Sequence, residues 1–472
     1  MAGALSAGWA SNVYAVPVAA AVMLGLAGCW SLLRRKPQDK YKRGALLTDG
    51  RAAQWLTACG VRFGRAGLTL AGIAVAAQDE TKHFKLIGTT GTGKSTAIRE
   101  LLRSAMARGD RAVIADPDGG YMARFCDRYR GDVILNPFER NSVKWDWFAE
   151  INDSYDVDQL ASGLIPASDD PSASEWRAYA RTFLTAVMRR CHLCGRRDMA
   201  QLWRLLTMAP AEELRSVVEG TPAQPFLDPD NGRMFGSIRS VTGSAIAAFE
   251  YIQAQRAAPF SVREWVRAQT TPGVVFIPYR AGQIAAMRSM IATWMRLAIV
   301  EAMSQPEGGD QRLWFIVDEL DALGAIDGLK DALARLRKFG CRCVLGFQSI
   351  AQVSSTYGPS AQTIVENCGN TLILRCSGSE NGGTSQFASR LIGDREVLRR
   401  QISRGRDRGL PARGAHRSQS VTEQCVTEPA VMPSEIEQLP DLCGYFKSAS
   451  SGSWLEVSFG NRRGIERRRE SS

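Results

Sequence analysis

Charge is missing from the first 33 residues of this 472-residue chain, where no Lys, Arg, Asp or Glu occurs between Met1 and Leu33. A cleaved signal peptide carries its positive charge ahead of its apolar run, so that class of leader is disfavoured. A second long apolar run is missing too. Gly67-Leu68-Thr69-Leu70-Ala71-Gly72-Ile73-Ala74-Val75 is too short to cross a bilayer and reads as strands leading into a larger fold. Paired cysteines are equally scarce. Of 11 cysteines only Cys191-His192-Leu193-Cys194 has metal-like spacing, and no second C-x-x-C completes a zinc site. The others, Cys341 and Cys343 in a strand-like run among them, read as reduced, buried small residues.

What the uncharged segment does contain is an apolar run of 21 residues, 13–33. At helical rise it spans roughly the 30 Å hydrocarbon core, which predicts a transmembrane helix behind a short non-cytoplasmic stretch, 1–12. Arg34, Arg35, Lys36, Lys40, Lys42 and Arg43 follow directly, and the positive-inside rule places them in the cytoplasm. Leu26-Ala27-Gly28-Cys29 looks like a lipoprotein processing box, but Trp30, Leu32 and Leu33 continue the apolar run past it. The expected arrangement is therefore a single-pass anchor with the bulk of the chain in the cytoplasm. A formal charge of +11 suits anionic partners, phospholipid or nucleic acid, without choosing between them.

The stretch that organises the rest is Leu86-Ile87-Gly88-Thr89-Thr90-Gly91-Thr92-Gly93-Lys94-Ser95-Thr96, which fits G-x-x-x-x-G-K-[ST] in full. The glycines allow successive N–H groups to curl round phosphate oxygens, and the following helix points its positive dipole end at the same anion. Gly88 through Thr96 are thus expected to bind ATP. Lys94 reaches the β- and γ-phosphates and Ser95 ligates Mg2+. A strand-like run, His83 to Ile87, enters the loop and a helical one, Ala97 to Met106, leaves it.

Strand-like runs ending in polar turns recur at Arg111–Gly119 and Asp132–Phe138, the signature of an α/β fold with a parallel sheet. From 151 to 270 helical patterns dominate, at Trp176–Arg190, Met199–Met208, Ala211–Glu219 and Ser237–Gln255, predicting an inserted all-α domain. Arg177, Arg181, Arg189, Arg190, Arg196 and Arg197, interleaved with Trp176 and Tyr179, suit single-stranded nucleic acid or an ordinary solvated face.

The sheet resumes at Gly273–Pro278, so the nucleotide-binding domain divides into 81–150 and 271–460, preceded by lead-in residues 34–80 and followed by a basic tail, 461–472. Leu313-Trp314-Phe315-Ile316-Val317-Asp318-Glu319 ends a buried strand in two carboxylates. Asp318 is placed for the Mg2+ shell and Glu319 for polarising a water in line with the γ-phosphate, which argues hydrolysis over mere binding. Gln348, at the end of the strand-like Cys341–Gln348, is placed to sense the γ-phosphate. Gly405–Ser420, rich in Arg, Gly and Ser, reads as a loop.

Together, His83-Phe84-Lys85-Leu86-Ile87-Gly88-Thr89-Thr90-Gly91, Gly93-Lys94-Ser95, Ile316-Val317-Asp318-Glu319-Leu320, Arg337-Lys338-Phe339-Gly340, Gly346-Phe347-Gln348-Ser349 and Met432-Pro433-Ser434-Glu435-Ile436 make the chain resemble the type IV coupling proteins of bacterial conjugation, the TraD/TrwB kind. The resemblance implies a RecA-like P-loop NTPase, anchored in the bacterial inner membrane and assembled as a homo-hexamer. Such a ring pumps single-stranded DNA with its relaxase, as part of a relaxosome, toward a type IV secretion channel. It also implies that Arg337 acts as a finger on the neighbouring subunit's nucleotide. Many members carry two membrane spans where one is expected here. Alternative readings are a duplex DNA translocase of the FtsK kind, a nucleotide-switched docking receptor for secreted protein cargo, and a membrane-tethered NTPase without nucleic acid.

Overall fold

The computed structural model describes residues 40–62, 67–168, 170–195, 197–269, 272–380, 382–406 and 417–459. The expected membrane helix at 13–33, the stretch 1–12, Arg196 and the basic tail lie outside these residues. Among the described residues no helix is long and apolar enough to cross a membrane.

Residues 47–392 and 431–459, as far as they are described, form one unit around a ten-stranded sheet. In chain order its strands are β1 (Leu47–Asp49), β2 (Phe84–Ile87), β3 (Arg111–Pro117), β4 (Val133–Ile134), β5 (Val274–Tyr279), β6 (Leu313–Val317), β7 (Arg342–Phe347), β8 (Asn370–Ile373), β9 (Cys443–Lys447) and β10 (Trp454–Ser458). Across the sheet they run β1-β10-β9-β8-β2-β7-β6-β3-β5-β4. The segment from β8 to β4 is parallel throughout, and β9 is antiparallel to both neighbours.

The central strands are buried along their length, which is why they read as continuous apolar runs rather than alternations. Helix α1 (Lys94–Ala107) places Ile98, Leu101 and Leu102 in one core cluster with Phe84, Ile114, Phe276, Trp314 and Val344. Each such side chain contributes about 1.5–3 kcal/mol on burial. That core fixes the carboxyl ends of β2, β3, β6 and β7 against one another.

Between β4 and β5 helices dominate, including α2 (Pro171–Leu193) and α3 (Gly232–Ala245), and the short strands Lys144–Trp145 and Pro259–Phe260 pair with each other. Asp170 and Asp198 cap helix starts by accepting from backbone N–H groups. The base of the insertion is an edge-to-face aromatic cluster of Trp145, Trp147, Phe249 and Trp294, the last on α4 (Ile284–Met303), with centroids 5.5–6.3 Å apart. Glu150 closes it: fully buried, its carboxylate accepts from Trp145 Nε1 (2.8 Å), Val262 N (2.7 Å), Arg263 N and Ser261 Oγ. The helix expected at Ser237–Gln255 is two, α3 and Phe249–Ala254. Ile246 and Ala248 are buried at the break, which turns Phe249 into the tryptophan cluster.

Residues 40–46 and 393–430 form a second unit, a three-stranded antiparallel sheet of Lys40–Gly44, Asp394–Arg406 and Arg417–Pro429. The stretch read as a loop, Gly405–Ser420, therefore supplies paired strand residues at both ends, and 407–416 lie outside the described residues. Further along the same hairpin Arg400 opposes Glu423 (2.7 Å) and Arg395 opposes Glu428 (2.9 Å).

Candidate functional site

β2 delivers the chain into the 88–93 loop, and α1 begins at Lys94. Two positions in this loop require glycine. Gly93 has φ +121°, and a Cβ there would lie 2.9 Å from Leu442 Cδ2; a Cβ on Gly88 would lie 2.9 Å from Leu374 Cβ. The loop is held from outside by Thr89 N donating to Arg375 O (2.9 Å) and Leu442 N donating to Thr92 O (2.9 Å), and from inside by Thr92 Oγ1 donating to Thr89 O (2.7 Å). Lys94 Nζ donates to the carbonyls of Gly88 (2.5 Å) and Thr89 (3.2 Å). Burial lowers its pKa, while Asp318 and Glu319 pull the other way.

β6 ends beside this loop, and the two chains of the motif meet there. Ser95 Oγ donates to Asp318 Oδ2 at 2.7 Å, and Tyr121 Oη donates to the same oxygen at 2.6 Å. Asp318 Oδ1 is buried with no partner. A buried carboxylate oxygen without a partner is costly unless a donor or a cation answers it. One hydroxyl and one carboxylate also suit a hard divalent ion that keeps waters and phosphate oxygens in its remaining positions. The loop's N–H cradle and this pair together fit Mg2+ with a nucleoside triphosphate. No group of three His, Cys, Asp or Glu that could hold a metal occurs among the described residues; Cys191 is buried and Cys194 exposed.

Glu319 is half-buried next to Asp318. Burial, then the charges of Asp318 and Asp321, raise its pKa, which makes it a better proton acceptor than a free carboxylate. Gln348, just past the end of β7, joins it to the loop: its Nε2 donates to Glu319 Oε1 (3.3 Å) and its Oε1 accepts from Thr90 Oγ1 (2.9 Å). These groups line a cleft of about 270 Å³ with Gly91, Gly93, Lys94, Ser95, Thr96 and Asp318. Gly88, Thr89 and Thr92 stand behind it as its frame.

Arg337 is not in this cleft. It is exposed on the turn Arg337–Phe339 after α5 (Leu329–Leu336), and its charge is felt by His83, at the opposite end of β2 from the loop. His83 is pushed down to about 4, chiefly by burial. One ring nitrogen meets Leu333 O (2.9 Å) and the other accepts from Cys343 N (3.1 Å), tying the loop's strand to α5 and β7.

Four participants escaped the sequence reading. Arg99, one turn along α1 from Ser95, lines the cleft with its guanidinium 5.8 Å from the Tyr121 ring. Tyr121 closes the turn after β3, and Asp116 at that strand's end accepts from Tyr121 N (3.0 Å) and Met122 N (2.7 Å); burial pushes its carboxyl up to about 6. Leu442, at φ +61°, covers Gly93. The turn Asp116-Pro117-Asp118-Gly119-Gly120-Tyr121 was the available signal for two of them. Nothing local marks Leu442.

Comparison with known proteins matches residues 67–459 to the family model described as the type IV secretion-system coupling protein DNA-binding domain. The chain is 32% identical over 376 residues to the coupling protein TraD of Escherichia coli (strain K12), covering 78% of this chain and 51% of that protein. A conjugal transfer protein TraG of Escherichia coli is 24% identical over 406 residues, covering 76% and 62%. The chain thus spans about half the length of the curated relatives it matches. The plasmid coupling protein TrwB in complex with ADP and Mg2+ superposes with a TM-score of 0.76 at 30% identity, over 90% of this chain and 95% of that one.

Proposed function

The chain belongs to the type IV secretion-system coupling proteins, and from that premise we propose that it is an ATP-hydrolysing DNA translocase that links a relaxase–DNA complex to a type IV secretion channel during conjugative transfer. The observation that carries the hydrolytic part is the Thr90–Gln348–Glu319 chain of hydrogen bonds, which ties a half-buried carboxylate to the loop that grips phosphate. A protein that only bound nucleotide would need no such acceptor.

In this reading the N–H groups of 88–93 and Lys94 hold the β- and γ-phosphates. Ser95 and Asp318 hold Mg2+, which when bound neutralises charge on the phosphate oxygens. Glu319 orients a water and takes its proton as the water oxygen bonds to the γ-phosphorus. The bond to the β,γ-bridging oxygen breaks, leaving ADP and phosphate. Gln348 then loses the geometry set by the γ-phosphate and passes the change to β7. TrwB, the structural neighbour, is described in complex with ADP and Mg2+ and with a non-hydrolysable ATP analogue, which supports these cofactors for this chain.

Assembly as a homo-hexamer accounts for Arg337, which stands away from its own chain's cleft and is free to complete a neighbour's. Anchoring by one span over 13–33, with single-stranded DNA as the strand moved, completes the proposal. The uncharged run followed by basic residues supports the anchor. The deciding experiment replaces Glu319 by Gln and Lys94 by Ala. Both variants should lose hydrolysis and transfer, Glu319→Gln while still binding nucleotide; full activity in both would refute the reading.

A further inference from the structure

A groove of about 820 Å³, larger than the nucleotide cleft, lies between the helical insertion, α4 and the loop that follows Glu319. Small residues of α3 and α4 leave its floor open, and Trp176 and Arg177 from α2 and Arg288 from α4 stand over it. Among the described residues its lining contains hydroxyls, including Ser240 and Ser244, and no Asp or Glu.

The three large side chains are differently held. Trp176 is half-buried and braced edge-on by Tyr179 (centroids 6.0 Å, 84°), which is braced in turn by Phe226 (5.5 Å). Arg177 Nη1 donates to the carbonyls of Pro166 and Ala167, which fixes its guanidinium at the rim. Arg288 is exposed, and its aliphatic part lies against Gly324. Of the arginines flagged around Trp176, Arg181 and Arg189 line a separate pocket, and Arg189 pairs with Asp158.

The far wall of the groove is mechanically connected to the nucleotide cleft. Leu323, Gly324 and Ala325 lie a few residues beyond Glu319. Leu320 N donates to Gly346 O (2.9 Å) on β7, and Tyr357 Oη accepts from Ile326 N (3.2 Å) and donates to Gly324 O (3.4 Å). Tyr357 ends α6 (Ile350–Tyr357), the helix that starts just after Gln348. Anything that displaces 323–325 moves a loop tied at one end to Glu319 and at the other to the helix that begins two residues after Gln348.

A rigid aromatic platform, two cations, several hydroxyls and no carboxylate match the chemistry of a single nucleic-acid strand, whose bases stack and whose phosphates are anionic. We propose that this groove holds a segment of single-stranded DNA, with phosphates at Arg177 and Arg288 and a base against Trp176, and that the bound strand acts on hydrolysis through the loop after Glu319. The assignment rests on the DNA-translocase reading above and adds where the strand sits and how it is sensed. An acidic peptide would use the arginines but not the platform, which is why DNA is favoured.

The test measures binding of a fluorescent oligo-dT to the full-length chain by anisotropy across a salt series. Trp176→Ala should weaken binding by about 10-fold, the loss of one stacked base. Arg288→Ala should lower the slope of log K against log salt by about 0.7, one phosphate contact on a single strand. A photoreactive residue at Ser240 should crosslink to the oligonucleotide, and one at the exposed Tyr129 should not. Affinity of Trp176→Ala within about twofold of the unsubstituted chain and an unchanged slope in Arg288→Ala, with no crosslink from Ser240, would overturn the groove while leaving the translocase reading intact. Displacement of oligo-dT from the groove by poly-glutamate at lower concentration than by unlabelled oligo-dT would also overturn it. Absence of salt-sensitive DNA binding by the unsubstituted chain would overturn both.

Discussion

Replacing Tyr121 by Phe removes one oxygen and leaves the buried ring in place, so it isolates what that hydroxyl does for Asp318. In the structure Asp318 Oδ2 receives two hydroxyl donors, Ser95 at 2.7 Å and Tyr121 at 2.6 Å. A hydroxyl that gives a lone pair to a metal ion keeps its O–H, so Ser95 can go on donating to Asp318, and Tyr121 is the second donor that holds the carboxylate in position. A hydrogen bond to a charged group contributes about 1.5–3 kcal/mol, which is about 10- to 100-fold in affinity. Supporting contacts to metal ligands elsewhere have effects of the same size. Tyr121→Phe should therefore require about 10- to 100-fold more Mg2+ to reach half-maximal tightening of a fluorescent ADP analogue. Nucleotide affinity measured without Mg2+ should stay within about twofold, because the phosphate loop is untouched. A Mg2+ titration superimposable on that of the unsubstituted chain would show that Tyr121 is packing only, and would remove the ground for assigning Asp318 to the metal.

Other parts of the account are testable in the same way. Glu319→Gln should lower ATP turnover by about 100-fold or more, the scale of general-base catalysis, with nucleotide binding retained in a filter assay. Arg337→Ala and Lys94→Ala should each be inactive alone, yet mixing them should restore part of the activity, since a site with Lys94 from one subunit and Arg337 from the next is then intact; no recovery in mixed assemblies refutes a trans-acting role. His83 is neutral when folded, at about 4, and takes up a proton near 6.5 when unfolded. The unfolded state therefore binds more protons between these values, and stability falls as pH drops through that window. From pH 6.5 to 5 the loss is about 2 kcal/mol at 1.36 kcal/mol per pH unit, read by denaturant unfolding, and His83→Gln should flatten it. Gly93→Ala should abolish nucleotide binding, because φ +121° and the contact with Leu442 leave no room for a methyl group.

What the sequence showed and what it hid divide along a physical line. The phosphate loop was legible because its chemistry is contiguous: glycines, Lys94 and Ser95 lie within eight residues of one another, between a strand and a helix. Asp318 and Glu319 were legible because a strand buried on both faces is uninterrupted apolar sequence, so two carboxylates at its end stand out. Tyr121, Arg99 and Leu442 were not, because each acquires its role only where separate elements converge on Asp318 or Gly93. The same limit split the expected helix at Ser237–Gln255: helical periodicity continues through Ile246, and only the aromatic cluster waiting for Phe249 requires the turn. The hairpin strands at Asp394–Arg406 and Arg417–Pro429 were hidden because polar and charged residues interrupt their few apolar pairs, such as Val397 opposite Val426.

The most direct measurement is ATP hydrolysis by the full-length chain in a membrane mimic, titrated with single-stranded and with double-stranded DNA at two salt concentrations, beside its Glu319→Gln form. The account predicts stimulation by single strands that weakens steeply with salt and is absent in Glu319→Gln. Hydrolysis indifferent to DNA in an assembled preparation, or equal in the Glu319→Gln form, would contradict it.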